Sequence, residues 1–310
     1  YEISACLVGS EMCIRDSQQT EQLSPLSSRP TYTETENDLT VKANKRTFIF
    51  SKKDGQLKGV SVDNRKINFA NGPRFIGARR ADRSLDQFYN HDDEKAKEKD
   101  RTYSEFPDAA VFTKLDVKQD GGDLIVTANY KLGNLDKAQW TINPSGDLAL
   151  DYTYNFSGVV DLMGIRFDYP EDQVISKRWL GAGPYRVWQN RIHGTQYDVW
   201  ENDYNDPIPG ETFTYPEFKG YFGDVSWMNI QTKEGTISLT NETPDAYIGV
   251  YQPRDGRDRL LYTLPESGIS VLNVIPPVRN KVNSTDLCGP SSQPKWVNGP
   301  QTGRVIFRFM

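Results

Sequence analysis

Apolar and polar residues alternate with a period of two along most of this chain from Leu39 onward. In TFIFSKKDGQLKGVSVDNRKINF (47–69), Phe48 and Phe50 lead to Asp54-Gly55, and Leu57, Val60 and Val62 follow. Asp-Gly between two such runs predicts a hairpin, because its residues tolerate the backbone twist that a tight turn needs. VFTKLDVKQDGGDLIVTANYKL (111–132) repeats the design. Val111, Thr113, Leu115 and Val117 are expected on one face, Gly121-Gly122 turns, and Leu124, Val126, Ala128 and Tyr130 return. A third hairpin is predicted in AQWTINPSGDLALDYTYNF (138–156), with Leu148, Leu150, Tyr152, Tyr154 and Phe156 on one side and Ala149, Asp151, Thr153 and Asn155 on the other. This alternation suits antiparallel strands with one buried face. Further strands are predicted at GTISL (235–239), AYIGVYQ (246–252), ISVLNVI (269–275) and GRVIFRF (303–309). DDEKAKEKD (92–100) alone reads as helix or solvated loop. Many short strands punctuated by turns predict an all-β sandwich or barrel.

Composition narrows the function classes. The 310 residues carry a net charge of −5, which argues against a nucleic-acid partner. No apolar run approaches the roughly 18 residues of a membrane helix, so no membrane partner is expected. Aromatic residues make up 12% of the chain, with 24 glycines and 18 prolines, in keeping with an all-β chain.

The amino-terminal stretch stands apart. CLVGSEMCIRDS (6–17) lacks the basic start and the apolar length of a signal peptide. It resembles translated sequencing-adapter read-through, so residues 1–17 are expected to be a non-native tail on a chain truncated upstream. Residues 18–38 are polar and aperiodic and read as a linker or domain edge, leaving 39–310 as the folded domain. Cys6 and Cys13 fall in the tail, so Cys288 is left and neither a disulfide framework nor a metal site is expected.

Candidate chemistry is sparse. Gly181-Ala182-Gly183-Pro184 lacks the third glycine and the βαβ setting of a dinucleotide site, and no phosphate-binding loop or Gly-x-Ser-x-Gly elbow occurs. His91 and His193 are not at metal-ligand spacing. Asp198, Glu201, Asp203 and Asp206 do not follow a calcium-loop pattern and read as a solvated acidic loop. Glycoside hydrolysis needs two carboxylates across a scissile bond, and none of the scattered acids stands out as such a pair. No catalytic residue and no cofactor is therefore assigned. The strongest local feature is the aromatic density from Tyr185 to Trp227, which includes Trp188, Tyr197, Trp200, Tyr204, Phe213, Tyr215, Phe218, Tyr221 and Phe222. Two readings stay open. The rings pack between sheets, or some line a concave sugar site where apolar walls meet a few polar groups.

Four passages carry a resemblance covering roughly residues 38 to 310. They are FIFSKKDGQLKGVSVDNRKINFANGPRF (48–75), WLGAGPYRVWQNR (179–191), YPEFKGYFGDVSWMNIQ (215–231), and DLCGPSSQPKW (286–296) followed by GRVIFRF. In order and content they resemble the C-terminal β-supersandwich of glycoside hydrolase family 2, the β-galactosidase small-chain domain. That fold is similar to galactose mutarotase. Gly181, Gly183, Pro184 and Arg191 match the family's Gly-x-Gly-Pro motif, whereas Arg186-Val187, Trp188 and Asn190 depart from it. The form GPYRVW looks more like family 2 enzymes of polysaccharide-degrading bacteria, and a periplasmic or secreted location is expected. The resemblance implies an accessory domain supporting a catalytic TIM barrel of the same full-length chain, with carbohydrate as ligand. It also implies that Trp296, in the terminal glycine-rich loop, reaches the barrel's sugar. Trp188, Trp200, Arg191 and Glu201 complete the expected substrate-binding set. At least one of Gly181 and Gly183 is expected to need positive φ or close backbone approach. A free carbohydrate-binding module remains an alternative, as does a mutarotase-like epimerase using His193 and Glu201.

Overall fold

The computed structural model describes residues 28–80, 103–204, 218–251, 264–278 and 289–310. His91, Asp206, Phe213, Tyr215, Cys288, the amino-terminal tail and the charged 92–100 segment lie outside the described residues.

Two large antiparallel sheets make the molecule. The first contains β1 (Thr31–Glu34), β2 (Asp38–Ala43), β3 (Arg46–Ser51), β4 (Leu57–Val62), β5 (Arg65–Ile67), β6 (Ala70–Arg80), β7 (Tyr103–Glu105), β12 (Leu162–Asp168), β17 (Tyr247–Val250) and β18 (Ile269–Val274). The second contains β8 (Val111–Asp120), β9 (Asp123–Lys131), β10 (Leu135–Ile142), β11 (Leu148–Val160), β13 (Val174–Gly183), β14 (Gln196–Asp203), β15 (Trp227–Thr232), β16 (Gly235–Asn241) and β19 (Lys295–Phe309). The first runs β1-β2-β3-β4-β6-β12-β18-β17, with β5 beside β4 and β7 beside β6. The second runs β14-β13-β15-β16-β19-β11-β10-β9-β8. The all-β sandwich expected from the alternation is thus observed. Among the described residues no helix is long and apolar enough to cross a membrane.

The period-two positions become the core between the sheets. Leu148, Leu150, Tyr152 and Tyr154 of β11 are buried as a row, as are Leu124, Val126 and Ala128 of β9. Aromatic rings lock the layers. Phe69 stacks on Phe167 at 4.8 Å and meets Phe307 at 5.0 Å and Phe309 at 5.3 Å. Such pairs add to area burial because ring edges meet ring faces.

Two expectations need correction, and a strand irregularity accounts for one uneven spacing. Val111 and Thr113 do not share a face with Leu115. The register steps from Phe112↔Tyr130 to Lys114↔Asn129, so a bulge at Thr113 turns Phe112 toward the core and leaves Val111 exposed. A second irregularity separates Ile49↔Gly59 from Phe50↔Leu57 and lets both Leu57 and Val60 face inward despite their odd spacing. Strand order begins inside the stretch read as linker or domain edge, because Thr31–Glu34 pairs with Leu39–Lys42 as an exposed edge strand.

Candidate functional site

The Gly-x-Gly-Pro passage closes β13 and is packed from two sides. A side chain at Gly181 would sit 3.0 Å from the backbone of Gly223, Asp224 and Val225. One at Gly183 would fall 2.4 Å from the Trp200 indole, which leans across from edge strand β14. Neither glycine has positive φ. Close approach, not backbone conformation, is what excludes a side chain here. The Gly183–Pro184 peptide is cis.

Beyond Pro184 the chain makes a short hairpin-like corner. Val187 exchanges both backbone hydrogen bonds with Tyr221 at 2.7 Å, and Gly220 lies so close that a side chain there would strike the Val187 carbonyl at 1.8 Å. Trp188 is 2% exposed and meets Tyr221 edge-on at 5.8 Å. Its backbone pairs with Arg191, closing a turn that puts Gln189 and Asn190 at the tip. These amides seize two later segments. Gln189 donates through Nε2 to the Ser291 and Gln293 carbonyls at 2.7 and 2.8 Å. Asn190 donates to the Val278 carbonyl at 2.7 Å and to Ser292 Oγ at 2.9 Å, and accepts the Val278 amide at 2.9 Å. The 179–191 and 289–296 passages therefore form one corner.

Trp296 stands beside this corner with 71% of its surface exposed. It is not on a loop. It is the second residue of the 15-residue β19, in register with Val159 at the far end of β11. The ladder fixes its backbone while the indole stays uncovered.

The expected substrate-binding residues do not all converge. Trp296 and Arg191 are exposed near the corner, but Trp188 is buried in a cluster with Val187, Tyr221 and Val278 and has no ring face left for a sugar. Trp200 is half-buried against the main core and caps Gly183. Glu201 is exposed on β14 opposite Arg178, five residues beyond Gln196, which pairs with Gly183. At about 3.3 Å per residue, it lies about 17 Å along the strand from the corner. His193 is held at the corner by Tyr185, whose hydroxyl donates to the His193 carbonyl at 2.9 Å. That separation gives no support to His193 and Glu201 as an acid–base pair. Tyr197, 55% exposed on the outer side of β14, bonds Ser226 Oγ at 2.6 Å.

Sequence reasoning missed the two amides at the tip. Asn190 departs from the expected motif, yet it makes three hydrogen bonds across the corner. It also missed a cleft of ≈570 Å³ at the opposite end of the sandwich, lined by residues from five separate stretches including Asn71, Asp168, Glu171, Tyr251 and Glu266. Among the described residues no group of three His, Cys, Asp or Glu side chains is placed to hold a metal ion.

Three of the four passages quoted above lie within the span that matches a known family. Residues 42–277 match the family model described as β-galactosidase small chain, which is well over half of the chain. No curated protein matches. Among solved structures, the chain is similar to galactose 1-epimerase from Lactobacillus acidophilus NCFM at 8% identity, covering 92% of this chain and 99% of that one, with a TM-score of 0.45. It is also similar to the GalM/aldose epimerase homologue from C. elegans at 8% identity, covering 91% and 99%, with a TM-score of 0.42. At such scores these likenesses carry no argument about activity.

Proposed function

We propose that this chain, which belongs to the β-galactosidase small-chain family, works as a non-catalytic domain that holds a tryptophan against the substrate of a glycoside hydrolase barrel. The family's domain is the accessory small chain of family 2 enzymes of the β-galactosidase type, and it accompanies a catalytic TIM barrel in full-length enzymes. In this reading the acid–base work belongs to that barrel.

The observation that carries the proposal is Trp296: a 71% exposed indole on a backbone locked by the β11 ladder, next to a loop pinned by Gln189 and Asn190. A tryptophan covers 150–250 Å² when buried. Leaving it wet on a rigid strand end makes sense where something else covers it. A sugar ring presents an apolar C–H face of matching shape, and exposed hydroxyl-binding groups nearby complete such sites. Rigid mounting lowers the entropy cost of binding.

The test has two parts. Assayed alone with an aryl β-galactoside, the chain should show no turnover above a buffer blank; turnover abolished by replacing one of its own carboxylates would overturn the reading. In the glycoside hydrolase that carries this domain, Trp296→Ala should raise KM or lower kcat while leaving the unfolding midpoint unchanged. Unaltered kinetics would remove Trp296 from the site.

A further inference from the structure

The cleft at the other end of the sandwich is built from well-separated parts of the chain. Lys58 comes from β4, Lys66 to Asn71 from β5 and the start of β6, Asp168 to Glu171 from the end of β12, and Tyr251 and Glu266 to Gly268 from the ends of β17 and β18. Trp296 pairs with Val159, just before β12 begins, whereas Asp168 closes β12. The seven residues of β12 put the two places about 20 Å apart.

The cleft is polar, and its groups are held in place. The Asp168 carboxylate accepts the Asn71 amide at 2.9 Å and is paired with Arg74. The Glu171 carboxylate accepts the Tyr204 hydroxyl. Behind the wall, Glu234 accepts the Asn68 backbone N–H at 2.9 Å, the Asn68 side-chain amide, and the Tyr169 hydroxyl at 3.0 Å. Tyr251 donates its hydroxyl to the Tyr169 carbonyl at 3.2 Å and meets Tyr204 edge-on. Burial, with nearby carboxylates and tyrosines adding to it, holds the Tyr169 and Tyr251 hydroxyls protonated far above the usual phenol range. They therefore remain donors to their acceptors at any ordinary pH. Two wall residues, Asn71 at φ 51° and Tyr251 at φ 60°, sit in the left-handed region, which for a bulky tyrosine is costly and persists where the surroundings dictate it.

We propose that this cleft is a second saccharide-binding site that takes a neutral mono- or disaccharide. Each carboxylate oxygen accepts two hydrogen bonds, and Asn71 and Arg74 use only part of that capacity at Asp168. Ser267, Lys66 and the second side-chain N–H of Asn71 add donors, and Ala70, Pro170 and the tyrosine edges supply apolar wall. Alternating donors and acceptors beside an apolar wall match a ring of hydroxyls. An anion is disfavoured, because among the described lining residues three carboxylates outnumber two lysines and Lys58 is already paired with Asp38 at 3.0 Å. The volume falls within the about 300–1,000 Å³ of small-molecule sites. The proposal rests on the carbohydrate reading above only for the choice of probes, since the cleft shares no residue with the Trp296 corner.

Saturation-transfer NMR on the chain with galactose, lactose and cellobiose tests it. At least one sugar should receive transfer. Asn71→Gly, which keeps the left-handed backbone without strain, should weaken that binding roughly fivefold, the scale of one lost hydrogen bond. Glu171→Gln should weaken it in the same direction, and its carbonyl still accepts the Tyr204 hydroxyl. Trp296→Ala should leave it unchanged. Absence of transfer to all three sugars overturns the proposal. So does transfer that survives both cleft variants, or that is lost on Trp296→Ala; the latter would instead favour the corner. Displacement of the bound sugar by inorganic phosphate would also overturn it, because the cleft would then be an anion site.

Discussion

The Asn190 side chain serves both backbone groups of Val278, donating to its carbonyl at 2.7 Å and accepting its amide at 2.9 Å, across 88 positions of sequence. One amide thus stands in for a strand partner and fastens the Gly-x-Gly-Pro corner to the segment after β18. Val278 is buried, so water does not replace the bonds if they are lost. Asn190→Leu should cost about 2–4 kcal/mol, since each orphaned buried group costs about 1–3 kcal/mol. Urea unfolding of both proteins at constant slope measures it. A midpoint unmoved by the change would show that the corner is held by other contacts.

The packing of Gly183 under Trp200 should appear as coupling between them. Gly183→Ala puts a methyl where the indole lies at 2.4 Å, and overpacking of this kind costs typically about 1–3 kcal/mol. Trp200→Ala removes the obstacle. In the double variant the alanine should therefore cost clearly less than it does alone, and a double-mutant cycle reads the difference. Strict additivity would mean that the strand backbone, not the ring, resists the methyl.

Tryptophans should divide by burial. Trp140 is 0% exposed, packs on Phe50 at 6.0 Å and meets Phe167 edge-on at 6.0 Å. Trp140→Ala should cost about 3–5 kcal/mol. Trp296→Ala should stay within about 0.5 kcal/mol, as for surface sites in general. Thermal or urea denaturation of the pair checks the contrast. A large loss at Trp296 would show that its ring packs on the chain itself.

Stability should fall in acid in part through Asp147. Burial pushes its carboxyl up, but the two-point grip of Arg308, at 2.7 and 3.0 Å, with Asn143 and Arg46 nearby, outweighs this and holds it below the usual carboxylate range. A carboxyl depressed in the folded state stabilises above its unfolded pKa of about 3.9, and the gain fades as pH drops through the folded value. The stability gap between the parent and Asp147→Asn should therefore be widest above about pH 5 and narrow steadily below about pH 4. Urea midpoints across that range measure it. A gap independent of pH would assign the effect to lost packing.

Period-two alternation by itself determined that this is an antiparallel all-β chain and which face of β9 and β11 is buried. That information is local: successive side chains point to opposite sides of a strand, so an apolar row must find a core. The order of the quoted passages also carried the family, which the match over residues 42–277 bears out. Tertiary structure alone decided the rest. A single extra residue at Thr113 reversed the faces of Val111 and Phe112, because a bulge leaves no mark in an alternating pattern. Trp188, Trp200 and Trp296 look alike in sequence, yet one is buried, one caps a glycine and one stands in solvent. Their fates depend on which strands lie alongside, and β19 reaches β11 across 134 intervening residues or more. The same holds for the cleft. Asn71, Asp168, Tyr251 and Glu266 come together because β6, β12, β18 and β17 are neighbours in one sheet, a pairing order set by the whole packed core and not by any local run of residues.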